Sequence, residues 1–334
     1  MTGAWQFVDY RDYRYQSRRI EVREQDDGPA VRSELAVRSL VTSEGSPLVR
    51  KSVPREAGLV NPGLYLLLDR EIRAGARLLR RFPADGYPAE LSRMVGYDID
   101  GEEPFVLLER YHGGPVADRA GQLLTEQQHQ FAVGLFRALR LLEAAKLVHG
   151  GLSPDTVWWG DGRVQVVGFE HAVLTGEPRV RNGKSRWCSP AQQAGDGAAA
   201  TPDDVWSAGA VVLEAVTGEP PGSHPAPERF GVAMGELLAG VFTARSADRP
   251  RAEDLLTRLQ AADGVPARAD SAVRDFARSR ARFDEVLADK LAPRAVAEEP
   301  PPLPRRRLPL WQLTVAAAVV LVALVAGVAW MVTG

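Results

Sequence analysis

Short β-like runs, in which apolar residues mix with polar ones, fill the first third of the chain: "RIEVRE" (19–24), "ELAVRSLV" (34–41), "PLVRKSV" (47–53) and "PFVLLER" (104–110). Their β-branched residues and the turn-formers between them, "DDG", "SEGSP" and "DIDGEE", predict strands. One helix interrupts them, "LYLLLDREIRAGARLLRRF" at 64–82, with apolar residues three and four apart. After about residue 120 the period becomes helical, beginning with "TEQQHQFAVGLFRALRLLEAAKLV" at 125–148. A strand-rich part followed by a helical part predicts two lobes.

Beyond these, residues 270–292 place Val273, Phe276, Ala277, Phe283, Val286, Leu287 and Leu291 on one face of an amphipathic helix, with Asp270 or Ser271 as N-cap. Such a face packs on the preceding domain; a dimer seam or a membrane-surface helix are the alternatives. Residues 293–307 are rich in Pro and Arg and read as an extended spacer. The run 308–332 carries no charge, has Trp311 and Trp330 near its ends and follows Arg305, Arg306 and Arg307. Its length predicts a transmembrane helix, and the basic flank puts the preceding chain on the cytoplasmic side. The charged N-terminus lacks the apolar run of a signal peptide.

A net charge of −2 argues against general nucleic-acid binding. The single cysteine, Cys188, makes an intramolecular disulfide impossible and has a structural or incidental role.

Five ordered landmarks carry a resemblance. "LVHGGLSPDTVWW" (147–159), "GFE" (168–170), "WCSPAQQ" (187–193), "DDVWSAGAVVLEAVTGEPP" (203–221) and "ADRPRAEDLL" (247–256) together resemble the catalytic core of the protein kinase superfamily, in particular bacterial Ser/Thr kinases of the eukaryotic-like type. The resemblance covers residues 15–262. It implies an α+β, two-lobed protein-kinase-like fold, with a β-rich N-lobe at 15–110 and a helical C-lobe at 111–262. Residues 1–14 then form an N-terminal segment, and the amphipathic helix (270–292), linker and single transmembrane helix follow. Together with the uncharged run 308–332 and its arginine flank, this describes a cell-membrane protein anchored by its C-terminus, with the kinase-like part in the cytoplasm. Lys51 falls at the position that holds the ATP phosphates, and Glu71 at that of its ion-pair partner. His149, Leu152, Pro154, Phe169, Asp204, Trp206 and Gly209 match structural positions of the family, and Arg249 matches a late arginine.

The resemblance also shows what is missing. The position of the catalytic Asp is Gly151, that of the loop Lys is Ser153, and those of the two magnesium ligands are Thr156 and Gly168. The Gly-rich loop is reduced to Gly28 in "EQDDGPAVRSE", the loop Arg is Gly150, and Ala191 stands where Arg249 expects an acid. Asp155 and Glu170 are offset from the family's carboxylates and are expected to face elsewhere. Loss of the base alone costs about 10²- to 10⁴-fold in rate.

The first reading is a membrane-tethered pseudokinase without catalytic or metal-binding residues. It acts as a scaffold or allosteric partner of a cytoplasmic protein, such as an active kinase or a membrane complex. The second is an atypical Ser/Thr kinase that still binds ATP, weakly or without metal, and retains weak phosphotransfer. A third possibility is anion or phosphopeptide recognition by Arg179, Arg181, Lys184 and Arg186, against a plain solvated basic loop. Thr175 and Ser185 are candidate phosphorylation positions.

Overall fold

A computed structural model describes residues 2–11, 14–25, 31–82, 86–180, 186–222, 225–262, 283–288 and 290. The chain opens with a long hairpin, β1 (Thr2–Arg11) and β2 (Arg14–Gln25), paired from Thr2↔Arg23 to Arg11↔Arg14. Next come β3 (Ala36–Thr42), β4 (Pro47–Ser52), helices α1 (Arg55–Val60) and α2 (Gly63–Arg81), then β5 (Met94–Asp98) and β6 (Phe105–Glu109). The six strands form a closed antiparallel barrel in the order β1-β2-β3-β4-β6-β5.

Closure is made by β1 meeting β5 at Val8↔Tyr97. It depends on Gly96, where a Cβ would stand 2.3 Å from Phe7 Cδ2 and 2.5 Å from the Val8 carbonyl. Only a residue without a side chain lets the two backbones approach so closely.

Neighbouring residues of a strand face opposite ways. Leu48 of β4 thus joins Phe7, Val22, Leu40, Phe105 and Leu107 in one apolar cluster. Val49 and Val53 pack instead with Leu64, Tyr65, Leu68 and Ile72 near and along α2. Lys51, between those two valines, is therefore aimed at α2. β4 is buried on both faces although Arg50, Lys51 and Ser52 are polar, so each of them needs a partner inside.

The expected two-lobed kinase-like fold with a C-terminal membrane helix needs correction on both counts. Residues 2–11, expected as a segment outside the β-rich lobe, form β1 and close the sheet into a barrel. Among the described residues no helix is long and apolar enough to cross a membrane. α2 reaches 19 residues but carries Asp69, Arg70, Glu71, Arg73, Arg77, Arg80 and Arg81. The run 308–332 and the linker 293–307 lie outside the described residues. The expected membrane location is corrected to this extent: no described helix supplies the anchor.

The remaining elements are β7 (Gly114–Pro115), α3 (Thr125–Ala144), β8 (Leu147–Val148), β9 (Val157–Gly160), β10 (Arg163–Val166), β11 (Val173–Leu174), α4 (Pro190–Ala194), α5 (Thr201–Thr217), α6 (Val232–Leu237) and α7 (Ala252–Arg258). Phe131, Leu135, Phe136 and Leu139 of α3 pack with Val205, Ala208, Val211 and Val212 of α5 and with Leu255 and Leu256 of α7. Each large side chain buried there contributes about 1.5–3 kcal/mol. The loop from β8 to β9 and the turn after β10 lean on this core through Leu152 and Phe169.

Residues 283–288 are helical, and Phe283 and Leu287 pack into the cluster that lines α2. Lys290 donates to the carbonyl of Gly101. Of the apolar face expected over 270–292, Phe283 and Leu287 are thus docked beside α2; residues 270–282, 289, 291 and 292 lie outside the described residues.

Candidate functional site

β4 carries Lys51 beneath α2, and there its ammonium meets two carboxylates. Nζ lies 3.1 Å from Glu71 Oε2 and 2.8 Å from Glu170 Oε1. Lys51 is fully buried, and both glutamates are buried with it. Burial alone would discharge the lysine, but Glu71, Tyr111 and Glu170 outweigh it and hold its pKa well above the ordinary value. Burial pushes the Glu71 carboxyl up, only partly offset by Lys51. For Glu170 burial acts in the same direction, but the charge and hydrogen bond of Lys51 and the hydroxyl of Ser33 bring it below the usual carboxylate range. Of the two carboxyls, Glu170 is thus the more acidic partner of Lys51, and Glu71 holds a proton more readily. One of its oxygens, Oε1, is buried without a hydrogen-bond partner.

Glu170 was expected to face elsewhere, and the structure turns it inward. Gly168 has φ 75° and ψ 63°, a left-handed conformation, and caps the 3-10 helix Phe169–His171. That turn sends Phe169 into the helical core and Glu170 toward Lys51. Glycine adopts this conformation freely, whereas an L side chain is strained in it.

The chain before β3 covers the same place. Ser33 Oγ donates to Glu170 Oε1 at 2.6 Å, the Leu35 amide donates to Ser33 Oγ at 3.0 Å, and Arg32 pairs with Asp155 at 2.9 Å. Trp158, fully buried, fills the space beside Val49, Val106 and Val167 and meets Tyr111 edge-on at 5.0 Å.

His149 opens the loop between β8 and β9. Its amide and that of Gly150 donate to the two oxygens of Asp204, at 2.6 and 3.0 Å. Gly151 N–H donates to His149 Nδ1 at 3.2 Å, so Nε2 carries the proton and donates to the Val167 carbonyl at 3.0 Å. Burial lowers the His149 pKa to about 4 and raises that of Asp204 to about 7. The imidazole is a neutral structural bridge, packed on Phe169 with ring centroids 4.9 Å apart. Thr156 Oγ1 accepts from the Ser153 amide at 2.9 Å and lies 3.1 Å from the Gly151 carbonyl. Its hydroxyl serves the loop itself.

Asp203, which the sequence did not single out, organises the next segment. It is fully buried and takes Arg179 Nε at 2.9 Å and the hydroxyl of Ser189 at 3.1 Å, with Arg249 Nη1 at 3.7 Å. Arg249, which lacks an acid at Ala191, finds one in Asp203; it is buried here, donates to the carbonyls of Pro202 and Thr243 and lies over the Trp206 ring at 5.0 Å. A signal existed: adjacent acids in the first turn of a helix opened by Pro202 suit the N-terminal dipole. Nothing local, however, named the arginines that reach it. Of the basic cluster, Arg179 is used internally and Arg186 lies over Trp187. Arg181, Lys184 and Ser185 lie outside the described residues, and Thr175 is exposed.

The resemblance implies ATP and magnesium, and the residues do not fit them. A phosphate approaching Lys51 meets the Glu170 carboxylate already bonded to it, and like charges repel in so dry a site. Gly151 and Gly168 offer no metal ligand, and the Thr156 hydroxyl is engaged by its own loop.

No family model matches the chain. It is 27% identical over 297 residues to the serine/threonine-protein kinase PknL of Mycobacterium tuberculosis, in strains CDC 1551 / Oshkosh and ATCC 25618 / H37Rv. The PknL of Mycobacterium bovis gives the same identity, and each match covers 83% of this chain and 69% of the relative. This distant similarity supports kinship with the protein kinase superfamily, and the chain is kinase-like in that sense.

Proposed function

We propose that this kinase-like protein transfers no phosphate and acts by binding another protein as a pseudokinase. The observation that carries the reading is the charge arrangement at Lys51. A lysine poised for nucleotide keeps its helix carboxylate and leaves its remaining donors to phosphate; here the Glu170 carboxylate takes those donors, under Ser33. The groups that would act as base or bind metal are absent from Gly151 and Gly168, which compounds the loss. The buried bonds of His149, Asp204 and Asp203 suit a rigid surface offered to a partner. An active kinase is the partner class we favour.

The 3.1 Å approach of Lys51 to Glu71 favours a second reading, an atypical kinase that binds ATP weakly. Melting curves of the purified protein with millimolar ATP, with and without Mg²⁺ or Mn²⁺, separate the two, because a ligand of the native state raises the melting temperature. No shift and no incorporation of labelled phosphate are expected. A shift, or label that disappears in Lys51→Met, sinks the first reading.

A further inference from the structure

Two donors from distant parts of the chain converge on one oxygen atom. Lys51 Nζ, on β4, and Ser33 Oγ, in the segment before β3, both donate to Glu170 Oε1, at 2.8 and 2.6 Å. Glu170 comes from a third place, the turn after Gly168. An ammonium and a hydroxyl aimed at a single anionic oxygen are what a phosphate-like oxyanion would receive in a binding site, through short charge-assisted hydrogen bonds. The second contact of the same segment, Arg32 with Asp155, reaches the loop between β8 and β9. Residues 31–35 thus bridge from the barrel to two segments of the helical part, and the bridge is centred on Glu170.

We propose that Glu170 is a resident substitute for an oxyanion ligand: its carboxylate fills a latent phosphate-like site formed by Lys51 and Ser33 and keeps residues 31–35 closed without any nucleotide. This rests on the reading that the protein transfers no phosphate, and it says how the site is regulated: the closed state is permanent. Glu71 does not serve this role. It takes Lys51 from the α2 side, accepts nothing from Ser33, and has an oxygen without a partner.

Hydrogen exchange of the Leu35 amide, which donates to Ser33 Oγ, reports whether the segment is closed. In the full chain, Glu170→Ala empties the site and leaves the Lys51–Glu71 pair in place. The Leu35 amide should then exchange at least about tenfold faster than in the wild type. Millimolar inorganic phosphate, against chloride of equal ionic strength, should restore slow exchange in Glu170→Ala and change nothing in the wild type. Glu170→Gln keeps the volume and an acceptor oxygen without the charge. It should exchange at an intermediate rate and ignore phosphate. Unchanged Leu35 exchange in Glu170→Ala overturns the proposal. So does faster exchange that phosphate does not reverse, or an equal phosphate effect in Glu170→Gln. None of these readouts uses ATP or turnover, so phosphotransfer by the wild type would defeat the inactive reading separately.

Discussion

Two buried charged clusters lie on the two sides of the loop 149–156, and they are satisfied in different ways. Around Asp203 and Asp204 every charge has a matched donor: backbone amides for Asp204, and Arg179, Arg249 and Ser189 for Asp203. Around Lys51 two carboxylates share one cation, and Glu71 Oε1 has no partner. The first cluster is built from fixed hydrogen bonds and tolerates little change of geometry. The second is held by charge balance, so its stability depends on which carboxyl carries a proton.

Removing the cation should give the largest effect. Lys51→Met leaves Glu71 and Glu170 buried without a positive partner, a loss of about 3–5 kcal/mol for a broken buried pair. The sign with pH follows from the directions of the shifts. Lys51 lowers the pKa of both carboxyls, so its loss raises both above their unfolded values. Such groups contribute stability that is present at low pH and lost as pH rises through the folded pKa. Urea titrations from pH 4 to 8 should therefore find the variant closest to wild type at acid pH and furthest from it at pH 8. A deficit independent of pH would mean that the charge balance does not hold this cluster.

The other cluster answers to acid in the opposite sense. His149 is depressed to about 4 by burial, so its share of stability is present above the unfolded value near 6.5 and is lost as pH falls through 4. The share is about 3 kcal/mol, from the size of that shift. Asp204, raised to about 7, opposes it by losing stability as pH rises from 3.8. His149→Phe removes only the first contribution. Relative to that variant, the wild type should lose stability as pH falls from about 6.5 to 4. A constant difference between the two across this window would show that His149 does not titrate on unfolding.

These clusters also separate what the sequence could tell from what it could not. Lys51, Glu71, His149 and Asp204 were singled out through the family resemblance, since each sits in a short motif that can be matched position by position. The interior helices were legible without it, since α2 and α3 carry their apolar period within themselves. Contacts made across long separations were not. Closure of the barrel joins Val8 to Tyr97 through the missing Cβ of Gly96, and no window of sequence contains both strands. Glu170 was misjudged because its direction depends on the left-handed backbone of Gly168, which composition does not reveal. Asp203 was missed because its arginines come from positions 179 and 249.

That backbone supplies the smallest and most discriminating test. If Gly168 were merely an eroded carboxylate position, restoring the acid with Gly168→Asp should be harmless and could move the site toward metal binding. The structure argues otherwise. At φ 75° an added Cβ would stand 3.3 Å from Thr156 Cγ2 and 4.0 Å from Lys51 Nζ. The left-handed strain costs about 1–2 kcal/mol for an L residue, and a third carboxylate would enter a site that already holds two. Gly168→Asn carries nearly the same shape without charge, and asparagine tolerates this conformation comparatively well. The Asn variant should lose about 1 kcal/mol or less and the Asp variant more, with the gap between them widening as pH rises. Neither should incorporate labelled phosphate. An Asp variant as stable as wild type, or one that gains phosphotransfer, would show that the turn at Gly168 still has room for the catalytic chemistry and that Glu170 has not displaced it.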